Sequence, residues 1–411
     1  MTSTTVVPSA PRLIRLAGLP YFLIAFVARL PFAMMVVGTL TAAVAARGSL
    51  SLGGLTSAAV GIGTACFGPF LGAAADRWGQ RVVLLALAVL NAAALVGFAA
   101  IVYSSAAEPL VLLSAFAIGA TAPQVSPLSR SRLVTMIAER LPPERRARTT
   151  SSTMAYESAA DETVFVFGPF LVGILASAIA PWMPLVVGAG LMLLFVGAFA
   201  LHPTAAHVSV QRADGHAASR AAELFRPRLL VVVLGIFGVG LFFGTMLTSL
   251  TAFMTEHGRP EQAGLMYGVM GVGSAIFALG VAILPARFPL AARWLLFAAI
   301  LFGGSLLLLA VGDVATMIVA LGVMGFGIGP TLVTQYSLGA AFGPVDRSAT
   351  VMTMLGSAVI VGQSLGSAVT GQLADAAGAN AALDLPVIAA SVVLVAGVVN
   401  ALLARRSRAG A

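Results

Sequence analysis

The chain has 411 residues, 59% of them hydrophobic and only 9% charged, where a soluble domain carries roughly 25% charged residues. So apolar a chain cannot cover itself with polar surface in water. Lipid as solvent removes that need, so the composition excludes a soluble globular protein and implies an integral membrane one.

The net charge of +8 rests on 23 arginines, with no lysine, scattered between apolar stretches. That scatter argues against a nucleic-acid-binding domain. Cys66 is the one cysteine and lies in an apolar run, so it reads as a small packing residue. His202, His207, His216 and His257 fall in polar connections, and no His pair or HExxH pattern offers a metal site. No cofactor and no catalytic constellation is expected.

A helical span needs about 20 mainly apolar residues. The opening MTSTTVVPSAPRLIRLAG is short and polar and lacks a convincing cleavage site, so the apolar run behind it reads as a retained first span. Spans are predicted at 19–46, 52–75, 81–104, 109–135, 151–179 and 184–201. After a polar connection they resume at 229–254, 263–285, 293–312, 314–339, 348–373 and 385–404. These runs are too long and too uniformly apolar for the strands of a barrel. The expected fold is all-α and membrane-integral, with twelve transmembrane helices. The predicted domains are an N-terminal six-helix bundle (1–201), a cytoplasmic linker (202–228) and a C-terminal six-helix bundle (229–411).

An even number of spans puts both termini on one side, and arginine selects the side. With the N-terminus cytoplasmic, 20 arginines fall in cytoplasmic segments or at their edges; Arg47 and Arg259 fall outside, and Arg29 lies within a span. The expectation is a multi-pass protein of a prokaryotic plasma membrane with both termini cytoplasmic.

The two halves repeat. GLTSAAVGIGTACF (54–67) aligns with GLMYGVMGVGSAIF (264–277) at an offset of 210, and Arg77 and Arg287 keep that offset. PPERRARTT (142–150), entering span 5, corresponds to GPVDRSATV (343–351), entering span 11. The glycine pairs read as small-residue packing surfaces between membrane helices. A nucleotide loop is a poor reading, because no strand precedes them.

The loop after span 2 reads GAAADRWGQR, with Gly72, Asp76, Arg77, Gly79 and Arg81 in place. It resembles the signature of the major facilitator superfamily. That resemblance implies two pseudo-symmetric bundles around a central cavity and alternating access by rocking of the bundles. Spans 1, 4, 7 and 10 would line the cavity. Asp76 would cap or pair with a helix end of the other bundle when the transporter faces outward. The second-half counterpart, GVAILPARFPLAAR (280–293), lacks the acid, so gating through this motif is expected on one side only. Gly168, Pro169 and Gly173 in span 5 resemble an element of the family's drug and metabolite exporters, with the spacing off by one. Span 4 departs from that group, with Ala115 where exporters often carry arginine.

Charge inside the spans is rare. At 1.5 Å per residue, Arg29 lies about 15 Å deep, Glu157 about 9 Å, and Asp161 and Glu162 about 15 Å. A charge in mid-membrane costs roughly 2.5–3.5 kcal/mol on insertion scales, so such groups seek partners or water. Arg29 is expected to pair with Asp161 or Glu162, and Glu157 to face Arg130 or Arg132. An acid without a full partner is a candidate proton site, since burial disfavours its charged form and a neighbouring arginine favours it. The alternative is a static ion-pair network holding spans 1, 4 and 5 together. Gln124, Ser126, Thr245, Thr248, Gln335, Tyr336, Ser357 and Gln363 are the remaining cavity candidates.

These features predict a secondary transporter of a small organic molecule, working as a monomer in the lipid bilayer and driven by the proton gradient. Efflux is the first reading. Proton-coupled uptake of a neutral nutrient such as a sugar is the alternative, and a non-transporting receptor or assembly factor on the same scaffold is the alternative class.

Overall fold

The computed structural model describes residues 13–205, 221–258, 263–285, 287–344 and 347–409. Among them, twelve helices are long and apolar enough to cross a membrane. We designate them α1 (Leu19–Arg47), α2 (Leu52–Trp78), α3 (Gln80–Val102), α4 (Glu108–Arg140), α5 (Pro143–Ala178) and α6 (Met183–Leu201) in the first half. The second half holds α7 (Pro227–Glu256), α8 (Met266–Ile283), α9 (Leu290–Ala310), α10 (Val314–Phe342), α11 (Ser348–Ala374) and α12 (Asp384–Arg405). All backbone polar groups of a lipid-exposed segment must be satisfied internally, and the helix does this within one segment.

The predicted spans 4 and 5 end and begin where hydropathy falls, at 135 and 151. The helices themselves continue, to Arg140 and from Pro143. Hydropathy marks where the chain is apolar; a helix runs on into water for as long as its residues tolerate the conformation.

Two helices are interrupted inside the membrane. α1 consists of Leu19–Val27 and Leu30–Arg47, with the break at Ala28 and Arg29. Pro31 follows immediately, and a proline has no N–H to give to the preceding turn. α4 consists of Glu108–Ala120 and Val125–Arg140, broken ahead of and behind Pro123. The carbonyls released there are met by side chains: Asn91 Nδ2 donates to Ile118 O at 2.7 Å, Thr64 Oγ1 to Gly119 O at 3.3 Å, and Gln124 Nε2 to Ala122 O at 3.3 Å.

The internal repeat extends into the packing. A side chain at Gly119 would run into the Val60 carbonyl of α2, and one at Gly329 into the Ser274 carbonyl of α8. Gly119 and Gly329 stand at the same offset of 210 as the repeat in α2 and α8. In both halves, then, a glycine brings the fourth helix against the second.

The first half has two apolar cores. One, around Tyr21, Leu84, Met192 and Phe199, lies toward the end that carries most arginines. The other, around Met35, Leu95, Phe98 and Leu185, lies toward the opposite end. The breaks in α1 and α4 fall between them. The second half has one large core built on Phe242, Trp294 and Met324.

Candidate functional site

Charged side chains occupy the layer between the two N-terminal cores. The break in α1 puts Arg29 at the N-terminus of the second segment, its guanidinium turned toward α5. It donates a hydrogen bond to Glu157, and its Nε lies 3.1 Å from Asp161 Oδ1. Asp161 is shared: Arg130 NH2 donates to its Oδ2 at 2.7 Å, and Ser126 donates to the same oxygen at 2.6 Å. Arg130 NH1 in turn donates to Ser126 at 2.6 Å. Ser129 donates to Glu157 Oε1 at 2.9 Å and meets the Tyr21 hydroxyl at 2.9 Å.

Two arginines therefore balance two carboxylates. Three of the four are nearly inaccessible, with side-chain exposures of 3% for Arg29, 0% for Glu157 and 3% for Arg130. Asp161 keeps 19%. The Arg130 guanidinium also lies 4.0 Å over the ring of Tyr336 on α10, the other bundle. Such a contact is attractive because the ring face is negative, and more so when desolvated.

The pairing differs from the sequence expectation in three ways. Glu157 is held by Arg29 and Ser129, not by Arg130 or Arg132, because the α1 break lets one guanidinium span two turns of α5. Arg130 goes to Asp161. Arg132 leaves the network altogether: it donates to Gln80 Oε1 at 3.1 Å, Phe199 O at 3.0 Å and Thr204 Oγ1 at 3.0 Å, and stacks 4.0 Å from the Phe199 ring. Residues 130 and 132 are two apart, so a helix turns them to opposite sides. The side chain of Glu162 lies outside the described residues.

At the arginine-rich end the bundles are joined. Asp76 accepts from Ala349 N at 3.1 Å, from Thr350 N at 2.8 Å and from the Thr350 hydroxyl. An anion suits a helix N-terminus, where N–H groups lack intrahelical partners. Gly72 lets α2 and α11 close: a Cβ there would stand 2.8 Å from the Ala349 carbonyl and strike Thr353. Gly79 has φ 86°, a left-handed-side conformation that suits glycine, and it turns the chain from α2 into α3. Arg77 and Arg81 are exposed, with Arg77 5.8 Å from the Trp78 ring.

Cross-bundle bonds also lie outside the motif. Ser131 meets Ser348 at 2.6 Å. Arg293 on α9 donates to Ser151 on α5 at 3.2 Å and holds the carbonyls of Pro285 and Phe288. The second flank thus carries an arginine–serine contact where the repeat has lost its acid, so the bundles meet on both flanks.

Of the other candidates, Ser126 and Tyr336 join the network and Gln124 supports the α4 break. Gln335 is fully buried against Gly235 within the second bundle, and Thr245 donates to Phe242 O of its own helix at 3.1 Å. Gln335 is thus turned to a neighbouring helix of its own bundle; an amide in an apolar span is as readily turned there as to a cavity. Ser357 packs at the Gly68 contact between α2 and α11. Thr248 and Gln363 are half-buried. Gly168 packs against Ala33 of α1, while Gly173 faces open space; the Pro169 side chain lies outside the described residues. Tyr21, Ser129, Ser131, Ser151, Arg293 and Ser348 were not singled out from the sequence. The polar run SPLSRSR (126–132) inside a span was the signal for two of them, Ser129 and Ser131. Among the described residues no group of three His, Cys, Asp or Glu side chains stands together as a metal site.

The fold has close counterparts among solved structures. The human organic anion transporter MFSD10 (TETRAN) is 20% identical, with a TM-score of 0.71 over 95% of this chain and 100% of that one. A bacterial homologue of the iron transporter ferroportin, in an outward-facing state, is 17% identical with a TM-score of 0.73 over 95% and 100%. The transporter FucP in its outward conformation is 17% identical with a TM-score of 0.63 over 93% and 98%. At these identities the likeness is one of fold. No curated protein matches the chain by sequence. The family described as Major Facilitator Superfamily matches residues 21–353. That match and the shared twelve-helix fold agree, and the chain belongs to the Major Facilitator Superfamily.

Proposed function

We propose that this transporter moves a small organic molecule out across the plasma membrane in exchange for protons, by alternating access. The observation that carries the reading is the buried charge layer in which Asp161 alone of four charged groups keeps exposure, beside a residue of the opposite bundle. A carboxylate so placed can take a proton when the path to one side is open. Its protonation would unbalance two arginines that the neutral layer otherwise satisfies. Breaking one partner of a buried pair is strongly unfavourable, so a change of charge here favours rearrangement.

We place the arginine-rich end in the cytoplasm, following the positive-inside rule. The Asp76, Ser131 and Arg293 contacts then form the cytoplasmic seal of an outward-facing transporter. No cofactor is needed, and one chain contains both bundles. Export is favoured over uptake by the resemblance of Gly168, Pro169 and Gly173 to the element of the family's exporters; Gly168 packs on Ala33 of α1.

The test is transport by the purified protein in proteoliposomes with an imposed pH gradient, using compounds chosen from a growth-inhibition screen. Substrate-dependent proton flux opposite to substrate flux is expected. Asp161→Asn should abolish the coupled flux while leaving the folded protein intact. Flux in the same direction would replace exchange by co-transport. Unchanged coupling in Glu157→Gln, Asp161→Asn and Glu162→Gln would reject the proton site.

A further inference from the structure

The second segment of α4, Val125–Arg140, is separated from the first by the break at Thr121–Gln124. Three successive residues on it point in three directions, as a helix of 3.6 residues per turn requires. Ser129 binds Glu157, Arg130 binds Asp161, and Ser131 meets Ser348 at 2.6 Å. Thr135, one turn on, stands 3.4 Å from the same Ser348 hydroxyl. Ser348 is the first residue of α11, and the next two, Ala349 and Thr350, are those held by Asp76. One short rod therefore touches both the charge layer and the helix end on which the seal is built. Ser129, Arg130 and Ser131 are all buried.

We propose that Ser131 is a positioning residue for transport: through its bond to Ser348, the segment Val125–Arg140 conveys the charge state of Asp161 and Glu157 to the seal at the α11 N-terminus. This rests on the proton-coupled reading above. When Asp161 is protonated, Arg130 loses its anionic partner and the rod shifts about the break at Thr121–Gln124. Ser131 then leaves Ser348, and the α11 helix end loses the shorter of its two hydroxyl contacts with α4. Asp76 is the acid at this helix end; its hydrogen bonds go to Ala349 and Thr350, so it can weaken the seal on its own account and does so independently of Ser131.

The groups facing the titrating pair are Arg29 and Tyr21 from α1, Arg130 from α4, Tyr156 of α5 itself and Tyr336 from α10. α8 also packs on α5 and carries Tyr267. The arginines stay charged and tyrosines stay neutral across the range of a transport assay; Asp76, at the seal itself, is a further acid, and the Asp161→Asn arm separates the charge layer from it.

The experiment uses the full chain in lipid nanodiscs, with Cys66→Ser and spin labels at Glu144→Cys and Ala341→Cys, both exposed positions at the arginine-rich end. The interlabel distance distribution reports the open fraction between pH 5 and pH 8. The parent is expected to open as pH falls, and Asp161→Asn to be open at both. In Ser131→Ala the response to pH and to Asp161→Asn should shrink, with a loss of about fivefold in the open-to-closed ratio change, the worth of one hydrogen bond. Ser131→Thr, which keeps the hydroxyl, should restore it. If Ser131 is only a packing contact, Ser131→Ala shifts the open fraction equally at every pH and adds to Asp161→Asn; that result overturns the proposal and leaves proton coupling standing. A parent that ignores both pH and Asp161→Asn overturns both.

Discussion

Arg29 Nε lies 3.1 Å from Asp161 Oδ1 while the same guanidinium donates to Glu157. One arginine thereby compensates two acids on successive turns of α5. Replacing it with methionine leaves Glu157 wholly buried and short of its cation. The expected loss is about 3–5 kcal/mol, the range for breaking a buried pair, read as a lower midpoint in thermal unfolding in detergent. Adding Glu157→Gln to Arg29→Met should recover much of that loss. Two losses that simply add would show that the pair is not coupled.

Asp76 holds the N-terminus of α11 with a charge and two oxygens. Asparagine keeps one acceptor and no charge. A hydrogen bond to a charged group contributes about 1.5–3 kcal/mol, so Asp76→Asn should raise the unsealed population at least about tenfold. A cysteine at Val134, buried beside Gly339, Gly343 and Ser348, would then be alkylated faster from the arginine-rich side. Equal labelling rates in the two backgrounds would remove Asp76 from the seal.

Gly72 tests the same seal by volume. In Gly72→Leu the new side chain meets the Ala349 carbonyl and Thr353 of the other bundle. The contact is between bundles and not within one, so the variant should unfold near the parent temperature yet fail to close. Transport should be lost. A variant that transports normally would mean the approach of α2 to α11 is not required.

Arg132 is a buried cation whose described partners are neutral: Gln80, the Phe199 carbonyl and Thr204. Its role in the structure is to tie α3, α4 and the end of α6. Arg132→Met should lower the unfolding midpoint and leave the coupling of the folded fraction unchanged. Arg132→Lys should not rescue it, because a point ammonium cannot reproduce a planar fork with three acceptors. Loss of proton coupling at unchanged stability would instead return Arg132 to the charge network.

The depth estimate from helical rise brought Arg29 level with Asp161, and the structure pairs them. The estimate treated α1 and α4 as continuous rods, however. Pro31 and Pro123 break both, and the breaks decide which way Arg29 and Arg130 face. Sequence spacing gives depth along a helix but not rotation about it. For that reason Arg132 was assigned to the wrong side of α4, and Gln335 to a cavity although it is buried against Gly235 in its own bundle.

The composition and the apolar runs by themselves determined a twelve-span membrane protein, because insertion into lipid is governed by summed hydrophobicity, which is additive along the chain; the match of 54–67 to 264–277 disclosed the repeat. The GAAADRWGQR loop determined the family resemblance, because that gate is built from adjacent residues. The pairing of Arg29 with both Glu157 and Asp161, the departure of Arg132, and the Ser131–Ser348 and Arg293–Ser151 contacts were decided only by the tertiary structure. Each joins helices far apart in sequence, and its geometry depends on how those helices are rotated and broken, which packing settles and local sequence does not.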